Sequence, residues 1–256
     1  MTLIKVENLS KSFGGITAVD GLDFSIEVGG VNSIIGPNGA GKTTLFNLLS
    51  GVYTPTTGEI FFSGDNVTGL SSHELATVGL SRTFQNVQTF MNMSALENVM
   101  VGCHLHSNRR FVDALLHLPS IRRTNSESHR AAVELMEYVG LKDYISSQAD
   151  QLPYGALKRL EIARALATRP KALLLDEPAA GLNPSETQEI DVLIKNISKQ
   201  GTTVMLVEHD IKLIMGVSNR IIVLDHGRML ADGTADEIRH NEDVVAAYLG
   251  EQGRNR

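Results

Sequence analysis

Gly36-Pro37-Asn38-Gly39-Ala40-Gly41-Lys42-Thr43-Thr44 carries the residue types that hold a triphosphate. The glycines let the backbone approach an anion closely and turn successive N–H groups toward it. Lys42 adds a point charge for the β- and γ-phosphates, and Thr43 a hydroxyl for the Mg²⁺ that bridges them. Such a loop works in one setting, a strand before it and a helix after it, because the helix N-terminus supplies further positive field. Residues 31–35 are an apolar run and residues 45–49 an apolar-periodic one, so that setting is predicted. A glycine-rich turn that matches by accident is the bland alternative, and the flanking elements argue against it.

Four further groups could act on a bound nucleotide. Asp176-Glu177 follows the apolar run 171–175, which reads as a buried strand. In an open α/β sheet ligand chemistry gathers at the carboxyl ends of strands, so Asp176 is a candidate to hold Mg²⁺, directly or through water. Glu177 is then a candidate to orient and polarise the water that attacks the γ-phosphate; a surface acid pair is the alternative. Residues 202–207 read as another apolar strand and deliver Glu208, His209 and Asp210 to the same edge. His209 there is either a packed or surface histidine or a donor to the γ-phosphate. Gln85, after a predicted strand at 80–84, is an ordinary loop residue or a carbonyl that reaches Mg²⁺ or the attacking water. Phe13, beside Gly14-Gly15, is a core residue at a strand end or a platform on which adenine stacks.

These groups need a scaffold, and the chain is large enough to provide one: 256 residues, 42% of them hydrophobic and 20% charged, can bury a sizeable core. The net charge of −6 gives no footprint for wrapping nucleic acid. A single cysteine, Cys103, excludes an internal disulfide and a cysteine-rich metal site, fits a reducing compartment, and is expected to be a small buried apolar residue. No signal peptide is visible at the N-terminus, and no apolar run approaches the ~18 residues that cross a bilayer. Any membrane role must be peripheral, through a separate partner.

Strands are predicted at 4–9, 22–28, 31–35 and 58–62, with an antiparallel start, and helices at 42–50 and after the capping boxes at Ser71 and Ser94. Between residues 85 and 152 strand signals fade, and a helix at 126–138 is stopped by Gly140. The expected organisation is an α/β nucleotide-binding core with an antiparallel β subdomain, residues 1–85 and 153–256, interrupted by an α-helical subdomain at 86–152. That insertion carries a basic cluster, Arg109, Arg110, Arg122 and Arg123, around an apolar stretch at 111–118, read either as a solvated face or as a docking surface. An amphipathic helix precedes Pro170, and Asn183-Pro184-Ser185-Glu186 opens another. A hairpin at 221–229 and a last helix from Thr234 to about residue 249 complete the chain, with a frayed tail at 250–256.

In this order and spacing, the residues resemble those of the ATP-binding subunits of ABC transporters, over nearly the whole chain. The resemblance implies a P-loop NTPase fold of the ABC ATPase type. It places Gly36 to Thr43 in the Walker A loop, Gln85 in the Q-loop, Asp176-Glu177 at the Walker B end, His209 as the switch histidine and Phe13 as the adenine-stacking aromatic. Leu152-Pro153-Tyr154-Gly155, residues 159–164, 176–184, 207–213 and 247–250 are closer to the LivG-type subunits of high-affinity branched-chain amino acid importers. The implied activity is ATP hydrolysis with Mg²⁺, coupled to transport through separate integral membrane permeases at the cytoplasmic face. The implied partners are a second ABC ATPase subunit and, indirectly, a substrate-binding protein, with no nucleic acid.

The signature motif departs from the usual Leu-Ser-Gly-Gly-Gln, since Pro153 has neither hydroxyl nor N–H to offer a phosphate held in trans. Asn183 stands where many relatives have aspartate. Urea, short-chain amide or lipid substrates remain open at this stage. A soluble ABC ATPase acting on ribosomes or DNA is disfavoured, because no second ATPase half, coiled-coil insertion or basic extension is present. A P-loop kinase would leave the helical insertion unexplained.

Overall fold

The computed structural model describes residues 1–83, 87–106 and 119–254, and the side chains of 1–83, 87–105 and 126–248. The chain opens with two long antiparallel strands, β1 (Thr2–Phe13) and β2 (Ile16–Glu27), paired from Phe13↔Ile16 to Thr2↔Glu27. Both are longer than their apolar stretches suggested, because ladder pairing carries them past the buried residues to a turn at Gly14-Gly15. With β4 (Thr57–Phe62) and β5 (Asp65–Asn66) they form a sheet of order β2-β1-β4-β5. The second sheet, of order β10-β9-β3-β8-β7-β6, contains β3 (Val31–Ile35), β6 (Leu80–Arg82), β7 (Ala172–Asp176), β8 (Thr203–Val207), β9 (Arg220–Asp225) and β10 (Arg228–Gly233). Its pairs are parallel except for the closing β9–β10 hairpin.

Every residue of β3, β7 and β8 is buried, as a parallel strand covered on both faces requires. Alternation then sorts the side chains: Ala172, Leu174, Met205, Val207, Ile222 and Leu224 join one core cluster, and Leu173, Leu175, Val204 and Leu206 another. The first cluster also takes the inner face of the antiparallel sheet, with α1 (Lys42–Leu49) between, through Leu45, Phe46, Leu48 and Leu49. The second takes α3 (Ala95–Cys103), α4 (Pro119–Tyr138) and α5 (Tyr154–Leu166), through Ala95, Val99, Met136, Leu160 and Ala163. It also takes α6 (Pro184–Lys199), through Ile190 and Ile194. Cys103 is half-buried at the edge of this cluster rather than inside it. The capping boxes are formed at Ser71 before α2 (Ser72–Val78), at Ser94, and at Asn183, whose side chain accepts from the Ser185 and Glu186 amides.

Several expectations need correction. The strand before residue 85 ends at Arg82, where β7 stops pairing with it beyond Leu174. α4 spans Pro119–Tyr138, so helix is present before the predicted 126. A short helix, α7 (Ile211–Val217), was not anticipated; Asp210 caps it by accepting from the Lys212 and Leu213 amides, and Leu213, Ile214 and Val217 bury its inner side. The last helix is two, α8 (Ala235–Arg239) and α9 (Glu242–Arg254), because Asn241 caps a fresh start by accepting from the Asp243 and Val244 amides. Helical backbone continues to Arg254 instead of fraying from 250.

Candidate nucleotide site

β3 feeds directly into the loop 36–41, and α1 leaves it at Lys42. Gly36 (φ 152°) and Gly41 (φ 100°) have no room for a side chain: a Cβ would strike the carbonyl oxygen of Leu224 at the first and of Ala18 at the second. The loop is thus pressed against the β9 end and β2, and only glycine allows that approach. Pro37 and Ala40 are buried beneath it, Asn38 and Gly39 form its exposed tip, and Ala40 N–H donates to the Pro37 carbonyl at 3.2 Å. Lys42, 6% exposed, curls back so that Nζ donates to the carbonyls of Gly36 at 2.6 Å and Pro37 at 2.8 Å. An ammonium held on neutral carbonyls is poised to exchange them for phosphate oxygens. No side chain caps α1; Gly41 occupies the N-cap, which leaves first-turn amides to face an anion. Thr43 is exposed and Thr44 half-buried at that same turn.

Asp176 ends β7, and Glu177 follows in a left-handed conformation (φ 49°) that a non-glycine residue adopts only where its surroundings hold it. Contacts on its backbone and side chain do so. The Glu177 N–H donates to Val207 O at 2.9 Å, its carbonyl accepts from Lys158 Nζ at 3.2 Å, and its Oε1 lies 2.7 Å from His209 Nε2. A carboxylate accepts, so Nε2 of His209 carries the hydrogen and donates it. The backbone of His209 is fixed by the side chain before it. Glu208 is 5% exposed and its carboxylate accepts from Ala179 N at 2.7 Å and His209 N at 3.1 Å. Burial pushes the Glu208 carboxyl above its ordinary range, the two amides oppose that, and the nearby Glu177 adds to it.

Asp176 is held from another side. Arg82 Nη2 donates to its Oδ2 at 2.6 Å in a buried ion pair, while Arg82 Nη1 donates to Asn47 Oδ1 at 2.7 Å and Ser50 Oγ at 2.6 Å on α1 and its end. The Thr43 hydroxyl and Asp176 carboxylate are hard oxygen donors of the kind Mg²⁺ takes beside substrate phosphates. Among the described residues no group of three or more His, Cys, Asp or Glu could hold a metal ion on its own. Thr43 and Asp176 fit Mg²⁺ that arrives with a nucleotide.

Phe13 is not a core residue: it ends β1 with 43% of its surface exposed. Tyr53 meets it edge-on, ring centroids 5.2 Å apart, and Lys11 Nζ lies 5.1 Å from its centroid. In the signature stretch Leu152 is buried, Pro153 is the exposed N-cap of α5 with no side-chain cap, and Tyr154 is 46% exposed with its ring edge beside Gly181. Gly155 packs on Glu186, where a Cβ would meet the carboxylate. The fold thus brings Asp176, Glu177 and His209 together and ties the signature helix to Glu177 through Lys158. Gln85 lies outside the described residues, as do Arg109, Arg110, the stretch 111–118 and the side chains of Arg122 and Arg123.

Arg82, Lys158, Glu208 and Tyr53 had no assigned role in the sequence. Glu208 had a signal, since it occupies the strand end beside His209. The other three did not, because their partners are remote in sequence.

The ABC transporter family model matches residues 19–180, and the model described as branched-chain amino acid ATP-binding cassette transporter matches residues 228–253. The high-affinity branched-chain amino acid transport ATP-binding protein BraF of Pseudomonas aeruginosa is 47% identical over 250 residues, 97% of this chain and 98% of its own. LivG of Escherichia coli K12, which bears the same description, is 46% identical over the same shares. Among solved structures, an ATP-binding cassette of an ABC transporter in its ADP conformation superposes with a TM-score of 0.84 at 30% identity, covering 98% of this chain and 99% of that one. Loop, strand ends and full-length similarity agree: the chain belongs to the ATP-binding subunits of ABC transporters, in their branched-chain amino acid branch.

Proposed function

We propose that the chain powers import of branched-chain amino acids by hydrolysing ATP beneath separate membrane permeases. The observation that carries the reading is the 2.7 Å contact between His209 and Glu177, next to Asp176 and at the carboxyl ends of β7 and β8. The loop amides of residues 36–41 bind phosphate, Lys42 turns from its carbonyls to the β- and γ-phosphates, and Phe13 stacks on adenine. Thr43 and Asp176 hold Mg²⁺, with Gln85 as a further oxygen donor. Bound Mg²⁺ neutralises charge on the phosphates and orients them. Glu177 orients and polarises the attacking water, and His209, whose Nε2–H meets Glu177 before nucleotide binds, turns that hydrogen to the γ-phosphate; the bond to the β–γ bridging oxygen breaks, giving ADP and phosphate.

Leu152, Pro153, Tyr154 and Gly155 act in trans, on nucleotide held by a second ATPase subunit. Residues 86–152 shift relative to the core, 1–85 and 153–256, as the two subunits close. A groove between α2, β6, α3 and α5, lined by His73, Arg82, Val101, Gly102, Leu105 and Arg164, suits the docking of a permease segment. No helix among the described residues is long and apolar enough to cross a membrane; a peripheral place at the cytoplasmic face follows from the likeness to transporter ATP-binding subunits. Substrate choice belongs to a binding protein and the permeases. The substrate assignment rests on likeness to the BraF and LivG relatives above.

Uptake of labelled leucine in cells lacking the native copy tests the reading, with complementation by wild type or Glu177→Gln. Restoration by wild type and none by the variant is the expected result. ATP hydrolysis without restored uptake would remove the amino-acid assignment and leave the ATPase.

A further inference from the structure

The Arg82–Asp176 pair is buried on both sides, with 6% and 4% of the two side chains exposed. Buried ion pairs often contribute little net stability, so stability alone is a weak reason for this one. Its geometry is more specific. The two arms of one guanidinium are divided between two elements: Nη2 grips Asp176 at the end of β7, and Nη1 grips Asn47 and Ser50 along α1. The guanidinium carbon also lies 5.7 Å from the centre of the Phe46 ring on that helix. Arg82 itself sits on a third element, β6, where Arg82 pairs with Leu174 and the following Thr83 N–H donates to Leu174 O at 2.9 Å.

We infer that Arg82 is a positioning residue for Mg²⁺, fixing the Asp176 carboxylate in register with the helix that begins at Lys42-Thr43. The inference rests on the reading that Asp176 and Thr43 serve the cation. Those two oxygens come from different elements, so their separation is set by whatever locks β7 to α1, and Arg82 bonds both. Its grip on Asp176 is to Oδ2, and a one-oxygen grip leaves the carboxylate's second oxygen for a cation. The Arg82 guanidinium also holds the Asp176 carboxylate in one orientation before Mg²⁺ arrives. Removing Arg82 has two opposed effects. The lost positive charge favours a divalent ion, while the freed carboxylate can rotate out of register with α1. Loss of outer partners costs metal sites affinity on balance, so the second effect wins.

The test is equilibrium binding of a non-hydrolysable ATP analogue to the purified full chain, by calorimetry, in EDTA and in saturating Mg²⁺. The readout is the factor by which Mg²⁺ tightens binding. Arg82→Gln should reduce that factor about tenfold. Arg82→Lys keeps the charge but cannot span both elements, and should reduce it severalfold; it also serves if Arg82→Gln does not fold, as judged by thermal melting. Asp176→Asn is the reference. If Asp176→Asn reduces the factor and a folded Arg82 variant leaves it at the wild-type value, Arg82 is only a structural staple and the inference is overturned. If Asp176→Asn also leaves it unchanged, the Mg²⁺ role of Asp176 falls first, and that of Arg82 with it.

Discussion

Glu208 places His209 by a device that costs the fold something: a carboxylate with 5% exposure accepting two backbone amides, one from Ala179 and one from His209. Because burial is the largest influence on it, its folded pKa lies above the ordinary 4.5. A carboxyl raised in the folded state stabilises that state when protonated, and loses the contribution as pH rises through the folded value. Glu208→Gln cannot titrate and keeps one acceptor oxygen. Urea unfolding should therefore show wild type gaining on Glu208→Gln as pH falls from 7 toward 4.5. At neutral pH the two should lie within about 1 kcal/mol of each other, since one lost acceptor is offset by relief of a buried charge. Glu208→Ala leaves both amides without that partner and should cost about 2 kcal/mol. His209→Ala removes the side chain that meets Glu177 at 2.7 Å without touching that scaffold. Phosphate release should slow about 100-fold while calorimetry shows ATP still bound; equal losses in both would make His209 a binding residue.

At the level of elements, what the sequence disclosed followed from local physics. Full burial in β7 and β8 is written in nearly continuous apolar runs, whereas β3 is buried although Asn32 and Ser33 interrupt its apolar residues, and the loop at 36–41 is legible because its glycines and Lys42 are contiguous. The caps at Ser71, Ser94 and Asn183 are local three-residue patterns, readable for the same reason. α7 escaped because it spans only Ile211–Val217, too short for a helical period, although Asp210 was its visible cap. β1 and β2 were underestimated because pairing extends them beyond their buried residues. Arg82–Asp176 and Lys158–Glu177 join residues 94 and 19 positions apart, and no one-dimensional pattern encodes either contact. Asn183 gives these elements a direct test. It caps α6 while Glu186 returns a bond to its N–H at 3.0 Å, and Gly155 of the signature stretch packs on that same Glu186. Asn183→Ala should lower unfolding free energy by about 1 kcal/mol, whereas Asn183→Asp, an equally good cap, should be nearly neutral. An equal loss in both would show that the amide, and not the cap, matters.

For the whole molecule, the question is what closes over the nucleotide. The start of α5 offers a partner subunit an exposed Pro153 without N–H, an exposed Tyr154 lying beside Gly181, and a buried Gly155 against Glu186. Compared with a serine and two glycines, that is a poor set of donors for a γ-phosphate held across an interface, because proline contributes none. The loop at 36–41, by contrast, is fully equipped to hold ATP. On the function proposed above, the chain would receive a signature motif better than it presents one, and we propose that it pairs with a related ATPase subunit rather than with itself. Glu177→Gln, which should bind ATP and hydrolyse it slowly, makes the preference measurable. Light scattering of the purified variant with Mg²⁺ and ATP should find mainly monomer. Addition of the second ATPase subunit of the same transporter should shift it to a one-to-one complex. A stable homodimer formed by this chain alone would show that Pro153 and Tyr154 close the site adequately, and the argument for an asymmetric pair would fail.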